Sequence, residues 1–324
     1  MFKTIILASL LFSSSAWAET KLLNVSYDVT REFYKDFNTA FAHHWKTKSR
    51  ETITINQSHG GSSKQARAVA DGLEADIISM NQATDIDLLY ERGKLIPQDW
   101  QKRLPYGSAP TASTTVFLVR KGNPRKVRDW DDLVKPGISI IVPNPKTSGD
   151  GRYSYLAAWG YALKKSNDPA QARDFVSRLF RNVPVLDAGG RGATTTFAQR
   201  GIGDVLLTFE NEVYLIRKEL DDHFDVVYPS SSILAENPIS LVDKVVDKRK
   251  TRAAAQAYLD FHYSEAGQEI AARHFLRPRL ESVASKHRDT FKPIELFTVD
   301  EVFGGWKKAQ QTHFADGGIF DRFT

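Results

Sequence analysis

The residues of this chain best suited to chemistry are small ones. Three times an apolar, strand-like run ends in a small-residue segment and a helix-like run follows. The segments are Ser58-His59-Gly60-Gly61-Ser62-Ser63, Thr147-Ser148-Gly149-Asp150-Gly151 and Asp187-Ala188-Gly189-Gly190-Arg191-Gly192-Ala193. Backbone N–H groups at a helix start lack acceptors and lie at the positive end of the helix dipole, which is how proteins hold oxyanions. One such segment is most often a tight turn. Three in one chain point to capture of an anion. Motifs for reaction are missing: there is no His-Glu-x-x-His, no Gly-x-Ser-x-Gly and no Walker A run. The chain therefore has no ATPase motif of its own, and an ester hydrolase assembled from scattered Asp and His is a poor second choice. Cysteine is absent, which excludes disulfides, thiolate catalysis, cysteine-bound metal and lipid attachment at a cysteine. His43-His44 is no metal site, because adjacent residues on a helix diverge. No cofactor and no metal are expected.

The elements that must position these segments follow from periodicity. Leu22–Tyr27 reads as a strand, Thr30–Lys46 as a helix with aromatics at helical spacing, Thr52–Gln57 as a strand, Ser63–Leu73 as a helix and Ala75–Met80 as a strand. After Pro105 and Pro110 the alternation restarts. Strands are expected at 114–120, 138–142, 183–186, 204–208 and 224–228, and helices at 129–134, 148–165, 170–182, 194–199 and 210–220. Such alternation argues for an α/β fold with a largely parallel sheet, with ligands bound beyond the carboxyl ends of strands, where all three segments fall. Ser230-Ser231-Ser232 reads as a linker, Ile239–Val246 as a strand and Ala253–His274 as a long helix broken near Gly267. Two blocks joined by crossings near 105–113 and 229–240 suggest a hinged clamp. Residues 19–108 and 236–324 would form one lobe and 109–235 the other.

The N-terminus reads as a secretory signal. Lys3 supplies the positive charge, Ile5 to Phe12 the apolar core and Ala16-Trp17-Ala18 the cleavage site, which makes residues 1–18 the signal and Glu19 the mature start. The apolar run is too short for a membrane span of about 20 residues. A net charge of +5 with Lys and Arg interleaved among Asp and Glu disfavours nucleic acid as a partner. The 41% hydrophobic and 26% charged residues are ordinary for a globular protein.

A set of motifs resembles one known family. These are Leu22-Leu23-Asn24-Val25-Ser26-Tyr27-Asp28, Gln57 through Gln65, Pro143-Asn144-Pro145-Lys146-Thr147-Ser148-Gly149, Tyr155-Leu156-Ala157-Ala158-Trp159-Gly160, Arg200 through Leu206, Phe303-Gly304-Gly305-Trp306 and Thr312-His313-Phe314. In that order, over essentially the whole mature chain, they look like the periplasmic sulfate- and thiosulfate-binding proteins of ABC importers. The resemblance implies a two-lobe type II periplasmic binding protein fold with a hinge and an interlobe ligand cleft. It also implies a non-enzymatic role, thiosulfate or sulfate as ligand, permease subunits as partners, a periplasmic location and a monomer. Asn81-Gln82-Ala83-Thr84-Asp85, Gly93-Lys94-Leu95-Ile96-Pro97, Gly189 through Phe197 and Phe209-Glu210 resemble the thiosulfate branch more closely.

Carried over residue by residue, the family's ligand contacts fall on the backbone N–H groups of Asp28, Ser62, Gly149 and Gly190 and on the hydroxyl of Ser148. Two positions depart. Asp150 stands where the sulfate branch has glycine; its N–H can donate, while its carboxylate is expected to point away from the ligand. Phe209 stands where that branch has tryptophan, so an indole N–H is missing. A larger, softer sulfur could sit against the ring instead. A site made only of donors suits a buried dianion, whose desolvation demands several charge-assisted bonds. It rejects a protonated oxyanion, whose O–H would face a donor. A receptor for another tetrahedral oxyanion, phosphate or molybdate, is the rival, with Asp150 turned inward to accept phosphate's proton. Arg191 is expected to anchor its loop, His59 to pack beside one, and Trp159, Trp306 and Phe314 to fill the core.

Overall fold

The computed structural model describes residues 19–220 and 223–323. The expected signal, residues 1–18, lies outside the described residues. In chain order the strands are β1 (Thr20–Tyr27), β2 (Ile53–Gly60), β3 (Ile77–Ser79), β4 (Thr111–Arg120), β5 (Ile140–Pro143), β6 (Leu186–Asp187), β7 (Val205–Phe209), β8 (Phe224–Val227), β9 (Ser231–Asn237), β10 (Ile239–Leu241), β11 (Arg277–Pro278) and β12 (Glu295–Phe297). They form two sheets. The first has the order β10-β3-β1-β2, with β1, β2 and β3 parallel and β10 antiparallel. The second has the order β12-β9-β4-β7-β5-β6, with β8 and β11 also on β4.

The expected parallel sheet holds for the first sheet and needs correction for the second. Strand β4 is antiparallel to β7, β8, β9 and β11. Nine of its ten residues are buried, so apolar composition alone does not tell its direction. Ser231 and Ser232, read as linker, open β9: Ser232 donates to the Thr115 carbonyl at 2.8 Å, which satisfies its hydroxyl inside the sheet. The strand expected over 239–246 ends at Leu241 and continues as the helix Asp243–Arg249.

Helices follow the strands and set the site. They are α1 (Arg31–Ser49), α2 (Ser62–Ala70), α3 (Ala83–Gly93), α4 (Gly149–Ser166), α5 (Pro169–Arg181), α6 (Gly190–Thr194), α7 (Glu210–Glu219), α8 (Arg252–Phe261) and α9 (Glu265–Arg273). Helix α1 forms because Phe33, Phe37 and Phe41 recur every fourth residue and bury one face against the first sheet. It stops at Arg50, whose φ of 64° is left-handed and whose N–H returns to the Lys46 carbonyl. The long helix expected over 253–274 is two helices, and the break precedes Gly267. Ser264 caps α9 by accepting from the Gly267 N–H at 3.1 Å. Gly267 itself is needed for close approach, since a Cβ there would lie 2.0 Å from the Phe261 carbonyl oxygen. Helix α3 was not anticipated.

Each sheet has its own cores. Leu22, Phe37, Ile77 and Tyr258 centre one on the first sheet; Phe117, Trp130, Tyr155 and Trp159 centre another on the second. The C-terminal residues Val299, Phe303, Phe314 and Phe320 bury in the second of these, and β12 pairs with β9. Residues 295–323 thus pack on the second sheet, not with the first as the reading of 236–324 has it, because their aromatics find partners in Tyr155 and Phe180.

Candidate functional site

All seven residues singled out in the sequence, Asp28, Ser62, Ser148, Gly149, Asp150, Gly190 and Phe209, line one cavity. Loops of the first sheet wall one side and loops of the second sheet the other. Asp28 opens a short turn before α1, and its carboxylate is occupied by Arg31 at 3.2 Å. Ser62 is the first residue of α2. Gly61 before it has no side chain to cap the helix, and the Ser62 hydroxyl turns to the Asp85 carboxylate. Gly149 and Gly190 are the first residues of α4 and α6. The leading N–H groups of a helix have no intrahelical acceptor, so three helix starts present donors to one space.

Ser148 caps α4 by accepting from the Gly151 N–H at 3.4 Å. A hydroxyl accepts and donates at once, so capping leaves its hydrogen for the cavity. Gly149 is required sterically. A Cβ there would lie 2.4 Å from Asn81 Oδ1, and Asn81 belongs to the opposite wall. Phe209, the last residue of β7, is buried and turns its ring against Tyr153 at 5.7 Å.

The Asp150 carboxyl is buried, held from β7. It is 3% exposed, Thr208 donates to its Oδ2 at 2.8 Å, the Ser154 hydroxyl one helical turn on also faces it, and its Oδ1 is sealed from the cavity. A Cβ built on Gly190 would lie 3.2 Å from Oδ2, so the carboxyl stands in the cavity wall beside α6. Burial pushes its pKa up to about 7, opposed by the Thr208 and Ser154 hydroxyls. Burial likewise pushes Glu212 on α7 up to about 8, with Arg191 opposing. Arg191, also in the wall, reaches Glu32 of α1 at 3.4 Å and ties the two sides together. A second tie runs from buried Arg152 to the Ser63 hydroxyl at 3.3 Å.

Sequence reasoning left out Tyr27, Asn81, Thr147 and Asp187, which also line the cavity. Thr147 and Asp187 sit inside two of the three small-residue segments and were within reach of that signal. Asn81 and Tyr27 carry no such mark; Tyr27 is aligned by the Asn237 side chain at 3.0 Å, 210 residues away. His59 pairs with Ser26 at 2.6 Å on neighbouring strands. Trp159 and Phe314 are core residues, and Trp306 packs edge-on to Tyr153 at 4.9 Å. Among the described residues, no group of three or more His, Asp or Glu is placed to hold a metal, and no helix is long and apolar enough to cross a membrane.

Comparison with known proteins bears on this geometry. A family model for bacterial extracellular solute-binding proteins matches residues 22–277. A thiosulfate-binding protein of Pseudomonas aeruginosa is 56% identical over 98% of this chain and 96% of its own length. A sulfate-binding protein of Salmonella typhimurium is 57% identical over 97% of this chain and 96% of its own. The solved structure of a sulfate-binding protein from Mycobacterium tuberculosis superposes with a TM-score of 0.82 at 31% identity, covering 91% of this chain and 99% of that one. With its two sheets, facing loops and shared cavity, the chain belongs to the bacterial extracellular solute-binding proteins.

Proposed function

We propose that this protein is the periplasmic receptor of an ABC importer and captures thiosulfate and sulfate. The observation that carries the reading is the convergence of the α2, α4 and α6 starts on one cavity. The cation in its wall, Arg191, is already engaged by Glu32. Neutral donors on rigid helix starts solvate a dianion with little reorganisation on binding. Asp28, Ser62, Gly149, Asp150 and Gly190 would donate backbone N–H groups, Ser148 its hydroxyl, and Phe209 would shape the wall. The chain would be exported with loss of residues 1–18, act as a monomer without cofactor or chemical turnover, and hand the anion to permease subunits. One lobe would comprise 19–108 with the chain from 236 to the tail, and the other 109–235, joined in packing by 295–323. Closing would be a population shift driven by contacts made only when the lobes meet.

Relatives named for thiosulfate and for sulfate are equally similar, so overall identity does not rank the anions. Phe209 favours thiosulfate as a full ligand, since an aromatic ring tolerates the terminal sulfur where a fourth oxygen would want a donor. Calorimetry with thiosulfate, sulfate, phosphate and molybdate tests the reading. Saturable binding of the two sulfur anions is expected, and Phe209→Trp should move their affinity ratio several-fold toward sulfate. Tight phosphate binding with no response to either sulfur anion overturns the assignment; an unchanged ratio overturns the role of Phe209.

A further inference from the structure

One side chain of the cavity wall carries a donor with nothing to receive it. Asn81 is 5% exposed and lines the cavity from the first sheet's side. Its Oδ1 is sealed from water, whereas its Nδ2 is not sealed and has no hydrogen-bond acceptor among the described residues. The carboxamide rests against Gly149 of the opposite wall: a Cβ built there would lie 2.4 Å from Oδ1, 2.5 Å from Nδ2 and 2.7 Å from Cγ. With a carbon–carbon bond of about 1.5 Å, Nδ2 lies within about 4 Å of the Gly149 Cα, beside the residue whose N–H would serve the anion. An amide donor left unmade in so buried a place is costly, and the group that can accept it from the cavity is the anion itself. Resting on the anion-capture reading above, we propose that Asn81 is a further ligand-binding residue, its Nδ2–H donating to an oxygen of the captured anion. The first lobe then offers a side-chain donor beside the backbone N–H groups of Asp28 and Ser62.

The turn that carries Asn81 is fixed from both sides. It leaves the carboxyl end of β3, where open α/β sheets bind ligands, and leads into α3. On one side the Met80 N–H donates to the Pro238 carbonyl at 2.9 Å. On the other the Gln82 amide donates to Asp85 Oδ2 at 3.0 Å, and the same oxygen accepts the Ser62 hydroxyl. Asn81 is thereby tied to the start of α2, which lines the same cavity. A donor held this way loses little freedom on binding. The carboxamide is neutral, so it adds a donor without the desolvation cost of a buried cation. A dianion also fixes its orientation, attracting the NH₂ end and repelling Oδ1. An amide N–H bonds oxygen better than the softer sulfur, so the contact falls on an oxygen that sulfate and thiosulfate share.

Calorimetry of the full-length mature chain with thiosulfate and with sulfate, alongside melting temperatures, is the first arm of the test. Asn81→Leu keeps the volume and removes the donor. It should melt close to wild type, weaken both anions by roughly tenfold or more, and leave their ratio within about threefold. Asn81→Asp keeps the shape but presents an acceptor, and should weaken both anions further. The second arm reads the contact directly. With asparagine labelled by nitrogen-15, the side-chain NH₂ signals that vanish in Asn81→Leu should move in the wild type as either anion saturates it, one proton shifting downfield. Wild-type affinity in Asn81→Leu overturns the proposal. So does a loss of affinity in that variant while the wild-type Asn81 signals stay in place on saturation, because a packing residue behaves that way. If Asn81→Leu fails to fold, Asn81→Asp identifies the signals and the wild-type shift decides the matter. Absence of calorimetric binding by either anion in the wild type overturns the underlying receptor reading instead.

Discussion

At the scale of single residues, the second small-residue segment holds two glycines with different duties. A Cβ on Gly149 would meet Asn81 Oδ1 at 2.4 Å, the tip of a side chain on the facing wall. A Cβ on Gly151 would meet the Pro143 carbonyl oxygen at 2.3 Å, which is backbone of the same lobe. Gly149→Ala should therefore fold, with a melting temperature close to wild type, and lose tenfold or more in anion affinity because the walls no longer meet. Gly151→Ala should instead lower the melting temperature. Equal affinities for Gly149→Ala and wild type would contradict this division. The small-residue segments were legible because donors at helix starts have a chemical signature, and the departures at Asp150 and Phe209 because residue type alone changes what can donate. Asn81 was not legible as a wall residue, since its place is set by Gly149, 68 positions on, and by the approach of two lobes. The burial of the Asp150 carboxyl was not legible, because Thr208, which holds it, lies 58 positions on in β7.

At the scale of elements, α7 is fastened by an ion pair. Glu210, fully buried at its start, receives both Nε and Nη2 of Arg277 in β11, at 2.6 and 2.9 Å, and the Tyr228 hydroxyl at 2.7 Å. Removing one partner of such a pair strands a charge. Arg277→Leu should cost about 3–5 kcal/mol, read as a lower urea midpoint, and adding Glu210→Gln should recover part of it. If Arg277→Leu leaves the midpoint unmoved, the pair is not holding the element. Elements with strong local periodicity, such as β1 and α1, were readable to within a few residues. Those set by distant partners were not. The direction of β4 depends on four other strands, and Ser231-Ser232 looks like linker because its hydroxyl bonding inside a sheet leaves no trace in local composition.

At the scale of the whole molecule, four buried groups give stability opposing dependences on pH. Burial pushes His262 down to about 3 and His313 to about 4. His262 has its ring 4.0 Å from that of Phe37 and its Nε2 unpartnered; His313 meets the Tyr155 hydroxyl at 3.0 Å. Both stay neutral in the fold, while an unfolded imidazole takes a proton near pH 6.5, so their contribution is lost as pH falls below that value. Asp150 and Glu212 have raised values and act the other way, losing stability as pH climbs through 4 to 8. Stability should therefore rise from pH 8 to about 6.5, level off while the two effects cancel, and fall in acid once the carboxyls are protonated throughout. His262→Gln should therefore gain roughly 2 kcal/mol of stability relative to wild type on going from pH 7 to pH 5, because the imidazole's opposing contribution is gone. A constant difference between the two proteins across that range would refute the assignment.

The chain passes between its two sheets three times: where it enters β4, where it leaves β9 for β10, and again before β11. An odd number of passages puts the first strand, from Thr20, on one body and the tail aromatics Phe320 and Phe323 on the other. The distance between Thr20 and Phe320 is then a ruler for the gap. With no native thiol to compete, a pair of cysteines introduced near those two residues could carry two dyes. Energy transfer between them would follow single molecules as they shut on an anion, with no label among the residues that line the cavity.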